Sequence, residues 1–554
     1  MANNSIFARS KHRANLQRNA FDLSQSSKFT ASVGMLLPCF CLDVNPNEHF
    51  RINPSIFLRT VPMNSAAFVR LKQYCEFYFV PYRLLWRSFP QFIAGTSNVF
   101  SNVISDGSSF TSTPYCTFSE ILTGVHDYPN TDACGYKFRY GATRLLDLLG
   151  YGINSQNIDA LYNANKSTAF TNNVNPFRFM AYQKIYSDYY RNPDYEAVIT
   201  RAFNIDDWKE GHTIAVNLLN ALMPRYRDWK KDYFNSISPT YQGSNFMKGE
   251  FSPISFPYSQ AASQFIPAST TQSSNFQGAM YSSNDSGKAQ GFTASNIRSM
   301  FALDKLYRSM VSAKDGSYSE QMKVRFGVDA PDDDWKSTFI GAIDAPVTIG
   351  EVETTADTYD GSTGSAAGTI YGKGTSLGNG SIEFTTKEHG IIMGIFSIIP
   401  ECDYSSDQID PFVTKFSRSD YFQPEFMDLG RQPLPVSQYK LTSSTDFSKV
   451  LGYQLRYSEY KTNVDKIHGV FNSSSDVSQT NQSYNAWVAP RNTALAQYSN
   501  GATVSFFKCL PSVLDSVMVQ QFDGTESTDQ FLINANFNCQ AIRPMSIYGE
   551  PSLN

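Results

Sequence analysis

Through the first ninety residues, short runs of apolar and polar positions alternate at strand spacing. "KFTASVGMLLPCFCLDV" (28–44) and "HFRINPSIFLRTVPM" (49–63) are rich in β-branched and aromatic residues and are punctuated by Pro38, Pro46, Pro54 and Pro62. That pattern predicts strands. "KQYCEFYFVPYRLLWRSF" (72–89) continues it as far as Val80, where Pro81 removes a ladder donor and ends the strand. Beyond Pro81, Tyr82, Arg83, Trp86 and Arg87 combine large apolar area with cationic heads. That mixture suits a contact between subunits, with a core strand leaving its sheet as the plainer reading.

From about 137 to 234 the period lengthens. "RYGATRLLDLLGYG" and "NPFRFMAYQKIYSDYYRNPDYEAV" place apolar residues three to four apart and predict helices. A soft stretch from 236 to 296, rich in Ser, Gln, Asn, Gly and Pro, predicts a long surface excursion. A helix should follow, with Ile297, Met300, Phe301, Leu306, Met310 and Val311 on one face. A second soft stretch at 354–381 predicts a flexible loop. Strand patterns then resume in "IEFTTKEHGIIMGIFSIIP", "VLGYQLRYSEYKTNV" and "FLINANFNCQAIRPMSIYG". β segments at both ends with helices and loops between them predict one mainly β sandwich built from the two ends of the chain and elaborated in the middle. The expected organisation is an arm at 1–26, a single domain at 27–554, and helical or loop insertions at about 100–235 and 315–345.

Composition narrows the function. In 554 residues the formal net charge is −4, aromatics make up 14% and charged residues only 17%. Such a chain is no polycation, so nucleic-acid contact must come from a local patch. A polar but weakly charged surface is what mutual coverage by subunits would favour. Residues 1–20 hold Arg9, Lys11, Arg13 and Arg18 and no acid, which predicts a flexible arm able to neutralise phosphates without reading sequence. The eight cysteines include no C-x-x-C pair, so free, mostly buried thiols are expected in place of a disulfide framework or zinc site. The N-terminus lacks an apolar signal region, and the longest apolar run, from Gly390, is far short of the roughly twenty residues of a membrane span. A soluble chain made in the cytoplasm is expected.

No motif marks an active site. "GKGTSLGNG" (372–380) imitates a phosphate loop but lacks the Lys-Ser/Thr and leads into a strand pattern, so it is expected to be a loop. Asp332–Asp334 has no partner cluster and is expected to be a solvated turn, with a calcium site as the weaker alternative. Glu388 and His389 are adjacent; in a strand they would face opposite ways, which leaves His389 structural. Neither cofactor nor metal is expected.

Taken in order, several segments resemble the major capsid proteins of the Microviridae, the small tailless single-stranded-DNA phages. These are "RTVPMNSAAFVRLKQYCEFYFVPYRLLW" (59–86), "DYFNSISPTYQG" (232–243), "NIRSMFALDKLYRSM" with "GSYSEQMKVRFGVDAPD" (316–332), "FTTKEHGIIMGIFSIIPECDY" (384–404), "DYFQPEFMDLGRQPL" (420–434), "LGYQLRYSEYKTNVDKIHGVF" (451–471), "WVAPR" (487–491) and "INANFNCQAIRPMSIYGEPSL". Lys387 ahead of Glu388, and "GSYSEQ", depart from the gokushovirus branch and point to a more distant one, which leaves host and receptor open. The resemblance implies an eight-stranded viral jelly roll with large inserted loops and helices. It also implies self-assembly with copies of itself into the smallest class of icosahedral shell (T=1) around a circular single-stranded DNA genome. Spike or pilot proteins and small basic DNA-packaging proteins would be further partners. Within 236–296, Tyr258, Phe265 and Tyr281 are candidate contacts to a host receptor, against an inter-subunit spacer as the alternative. The rival class, a secreted jelly-roll carbohydrate-binding protein or glycan-active enzyme, should carry a signal peptide and paired carboxylates, and neither is visible.

Overall fold

The computed structural model describes residues 18–64, 67–94, 113–128, 138–207, 214–240, 298, 301–302, 305–306, 318–329, 335–353, 370–427, 430–472, 487–491 and 501–547. Ten strands form one curled antiparallel sheet: β1 (Asn19–Asp22), β2 (Gln25–Ala31), β3 (Leu37–Val44), β4 (His49–Thr60), β5 (Leu71–Pro81), β6 (Thr338–Glu353), β7 (Ile370–Asn379), β8 (Ile382–Thr385), β9 (Gly390–Pro400) and β10 (Phe531–Arg543). Eight follow one path, β1-β10-β4-β7-β6-β5-β9-β3, while β8 pairs with β4 and β2 with β10. The sheet folds over at β6. The first part of this strand pairs with β5 (Leu71 opposite Val347) and its last six residues pair with β7 (Thr348 opposite Thr375). The two halves therefore face each other as a jelly-roll sandwich with insertions. Phe537 of β10 lies 5.0 Å from Phe40 of β3 and 6.2 Å from Phe77 of β5, and Phe29 of β2 lies 5.6 Å from Phe396 of β9.

Alternation along the strands decides which layer each side chain serves. In β9, Ile392, Phe396 and Ile398 enter the sandwich core, and Ile391, Met393 and Ile395 enter a second core. β5 divides likewise, Cys75, Phe77 and Phe79 inward against Tyr78 and Val80 outward. Burial on both faces is why "GIIMGIFSIIP" is apolar throughout, where a half-exposed strand would alternate.

The second core belongs to a helical layer: α1 (Tyr82–Leu85), α2 (Phe89–Ala94), α3 (Phe118–Asp127), α4 (Phe138–Leu148), α5 (Ile158–Ser167), α6 (Phe177–Ile185) and α7 (Ile214–Ala221); α8 (Tyr318–Phe326) follows later in the chain. α3 starts at a capping box in which Thr117 Oγ1 accepts from the Glu120 amide at 3.2 Å and Glu120 accepts from the Thr117 amide at 2.8 Å.

Three expectations change. Residues 18–26 fall within the arm drawn at 1–26, yet β1 and the start of β2 already pair with β10 there. Most of "GKGTSLGNG", expected as a loop, lies in β7. Its Gly372, Gly374, Ser376 and Gly378 point inward, and a Cβ on Gly374 would meet Thr60 Cγ2 at 2.7 Å and Val347 Cγ1 at 3.0 Å. The sheet turns so tightly here that only small residues fit its inner face. Lys387, Glu388 and His389 form a bend between β8 and β9 and are not part of a strand. His389 lies edge-on to Phe89 at 5.7 Å.

Between β9 and β10 the chain builds a satellite. The ribbon Arg431–Pro435 with Val450–Leu455 and several 3-10 turns pack around Tyr233, Phe234, Tyr404, Leu434, Tyr439 and Phe506. "VLGYQLRYSEYKTNV", expected as a sandwich strand, belongs here.

Candidate assembly surfaces

Two ion pairs, one buried and one partly buried, tie the insertions to the sandwich. Arg144 of α4 pairs with Asp529, just before β10, at 2.6 Å, and the Tyr140 hydroxyl donates to the same carboxylate at 2.6 Å. Arg227 grips Glu76 of β5 through two bonds of 3.0 and 3.1 Å, and its guanidinium lies 4.3 Å from the Tyr74 ring centre. In the satellite, buried Arg491 is surrounded by Trp229, Tyr404, Tyr439 and Phe506, the last at 4.4 Å. These contacts hold a cation inside aromatic surroundings and make helices, satellite and sandwich one body.

The stretch after Pro81 is used first within its own chain. Tyr82 donates to Asp43 at 2.6 Å, Arg83 pairs with Glu388 at 2.7 Å, and the Arg87 amide donates to Asp206 at 2.9 Å. Burial and the neighbouring Asp43 push the Tyr82 phenol well up, so it stays a donor. Trp86 is only 3% exposed, packed against Phe89, Phe92 and Phe177. Its ring is not available to a neighbouring subunit, contrary to the expectation for it; its apolar area seats α1 and α2 on the helical core. Of the four residues singled out, Arg87 alone is exposed.

Arg18 donates to the Asn47 side chain at 2.7 Å. Arg9, Lys11, Arg13, Tyr258, Phe265, Tyr281 and Asp332–Asp334 lie outside the described residues. From the helix expected near 297–311, residues 298, 301–302 and 305–306 are helical, with Phe301 exposed. Among the described residues seven cysteines are free, and no group of three or more His, Cys, Asp or Glu is placed to hold a metal. Burial pushes the thiols of Cys41, Cys116 and Cys402 up to about 12, so they are poor nucleophiles. No helix among the described residues is long and apolar enough to cross a membrane.

Two outer faces differ in chemistry. That of β10, β4 and β7 is mixed: Asn536, Ser55 and Asn379 share one row and Asn538 and Asn53 another, Arg51 lies opposite Gln540, and Asn534 shares its row with exposed Phe57 and Leu377. The satellite face is mainly aromatic: Phe412, Phe416, Tyr421, Phe422, Phe426, Leu455 and Tyr460 are all exposed, Phe416 by 88%. They come from "PFVTKFSRSDYFQPEFM" (411–427) and the neighbouring ribbon, and the rings touch, Phe412 on Tyr460 at 4.9 Å and Phe422 on Tyr460 at 6.3 Å. The sequence reasoning passed over this face. The signal available was seven large apolar residues among Pro, Ser and Asp turn formers with neither a strand nor a helix period.

Comparison with known proteins bears on what such a body is for. The chain matches the family model described as "Capsid protein (F protein)" over residues 10–137 and 154–553. It is 21% identical to capsid protein VP1 of Chlamydia phage 1 (98% of this chain, 96% of the relative) and 23% identical to VP1 of Bdellovibrio phage phiMH2K (97% and 95%). With VP1 of Spiroplasma virus 4 it shares 20% over 94% and 93%. A match of nearly full length, on a jelly-roll sandwich whose insertions are locked to it, admits one conclusion: the chain belongs to the F-type capsid protein family of the Microviridae and is a structural component of a phage virion.

Proposed function

We propose that copies of this chain close into the smallest class of icosahedral shell around a circular single-stranded DNA genome, in a structural and not an enzymatic role. The observation that carries the reading is the family match over residues 10–137 and 154–553, on a sandwich to which the insertions are tied by ion pairs. A subunit that meets several neighbours must present fixed surfaces, and repeated heterologous contacts close by symmetry, so each one need be only modest. Tyr82, Arg83 and Arg87 keep a boundary role in this proposal, with Trp86 acting indirectly by seating α1. Arg9, Lys11, Arg13 and Arg18 are proposed to neutralise genome phosphates, alone or beside a small basic packaging protein. Residues 243–293, including Tyr258, Phe265 and Tyr281, are proposed to meet the host.

The test is sedimentation of a lysate of the native source with mass spectrometry across the gradient. Comigration of the chain with a megadalton particle that shields single-stranded DNA from nuclease is expected. A chain found only as a free monomer or small oligomer, with no shielded DNA, would overturn the proposal and favour a glycan-binding role.

A further inference from the structure

We infer that the aromatic face of the satellite is a contact with a second copy of this chain. Phe412, Phe416, Phe422, Phe426, Leu455 and Tyr460 are each exposed by 40% or more. At about 200 Å² for a large side chain, six half-exposed groups leave roughly 600 Å² of apolar surface, most of the roughly 800 Å² that each partner gives to a standard interface. A soluble subunit that kept so much apolar surface wet would be prone to aggregate.

Three observations favour a copy of the same chain over other occupants. The face is built rigid: Lys415 and Glu459 form a buried pair at 2.7 Å beneath it, and the Lys415 ammonium sits 4.2 Å from the Tyr460 ring centre and 4.8 Å from that of Phe412. A face held in place in this way loses little freedom on docking. Its nearby charges are mixed, with Arg418, Arg456 and Lys461 against Asp420 and Glu425, whereas a polyanionic genome would favour a strongly positive surface. Its composition of Phe, Tyr and Arg is that of an interface centre, and a capsid chain's most abundant partner is itself.

The inference goes with the shell proposal and is tested so that the two fail separately. Phe416→Cys places a thiol where the side chain is 88% exposed and adds no strain to the fold. Particles and the subunits released from them are treated with a small hydrophilic maleimide, and modification at position 416 is followed by mass spectrometry. At least tenfold slower modification in the particle than in the released subunit is expected. Equal rates in the two states overturn the inference. So does equal protection in both, which would mean that another segment of the same chain covers the face. If the unmodified chain never forms particles, it is the shell proposal that fails. Should the Phe416→Cys chain be recovered only as aggregate, Leu455→Cys on the neighbouring strand reads the same face.

Discussion

At the scale of single residues, the buried charges are the sharpest constraint. Arg144 and Asp529 are almost wholly enclosed, so removing either leaves its partner charged and unpaired. Asp529→Ala should destabilise the released subunit by about 3–5 kcal/mol in urea titration. The double change Arg144→Met with Asp529→Leu should recover most of that, because no charge then stays buried. Asp446 gives a pH signature. The Thr442 amide and hydroxyl and the Ser443 amide donate to one of its oxygens at 2.7–2.8 Å and hold its carboxyl at about 2, below the ordinary 3.8. A carboxyl depressed in the folded state adds stability that is present above its unfolded value and is lost as pH falls through the folded one. Asp446→Asn should therefore be less stable than the parent near neutrality, and the gap should close between about pH 4 and 2. A gap that is constant across that window would remove the carboxylate from the account.

Among the elements, β7 is one where inner-face size matters. Gly374→Val should cost about 1–3 kcal/mol or more, since the new side chain meets Thr60 and Val347. Thr375→Val, on the outer face of the same strand, is the control and should change little in the same denaturation experiment. The two substitutions also show what could be read from the sequence. The strands at both ends were legible, because β3, β4 and β5 carry β-branched and aromatic residues bounded by prolines. β7 was not, because glycines fill its buried positions while Leu377 and Ile370 face solvent, the reverse of the usual hydrophobic pattern. Trp86 misled for a related reason: aromatic-plus-arginine composition is the same for an interface and for an element seated on a second core. The satellite face was invisible, because exposure at Phe416 depends on which neighbours fail to cover it, and no local period records that.

On the whole-molecule scale, the charge distribution separates two kinds of contact. Nothing in a net charge of −4 attracts a polyanion, so the proposed genome contact is concentrated in a few cations. Replacing Arg9, Lys11, Arg13 and Arg18 together by Gln should weaken binding of single-stranded DNA and lower the slope of log affinity against log salt by about 3, at 0.7 per phosphate contact. Particle closure should be much less affected, because the residues of the aromatic face and of the locked insertions are unchanged. A variant with an unchanged salt slope would move the genome contact to another surface.

The pairing of β10 also governs when the subunit comes into being. β1 and β2 take their partner from Phe531–Arg543, and β4 pairs with it as well as with β7 and β8. At a ribosome's pace of about 5–20 residues per second, chain elongation takes roughly half a minute to two minutes. Throughout most of that time the nascent chain lacks the strand that brings β1 and β2 into the sheet, although β3, β4 and β5 can already be joined through β7, β6 and β9. A shell subunit that folded early could join its neighbours while still tethered to its message, jamming translation and seeding malformed shells. Here β1 and β2 wait for a partner some five hundred residues downstream, so the sandwich, and with it the surface a neighbour would meet, is complete only once β10 has been made.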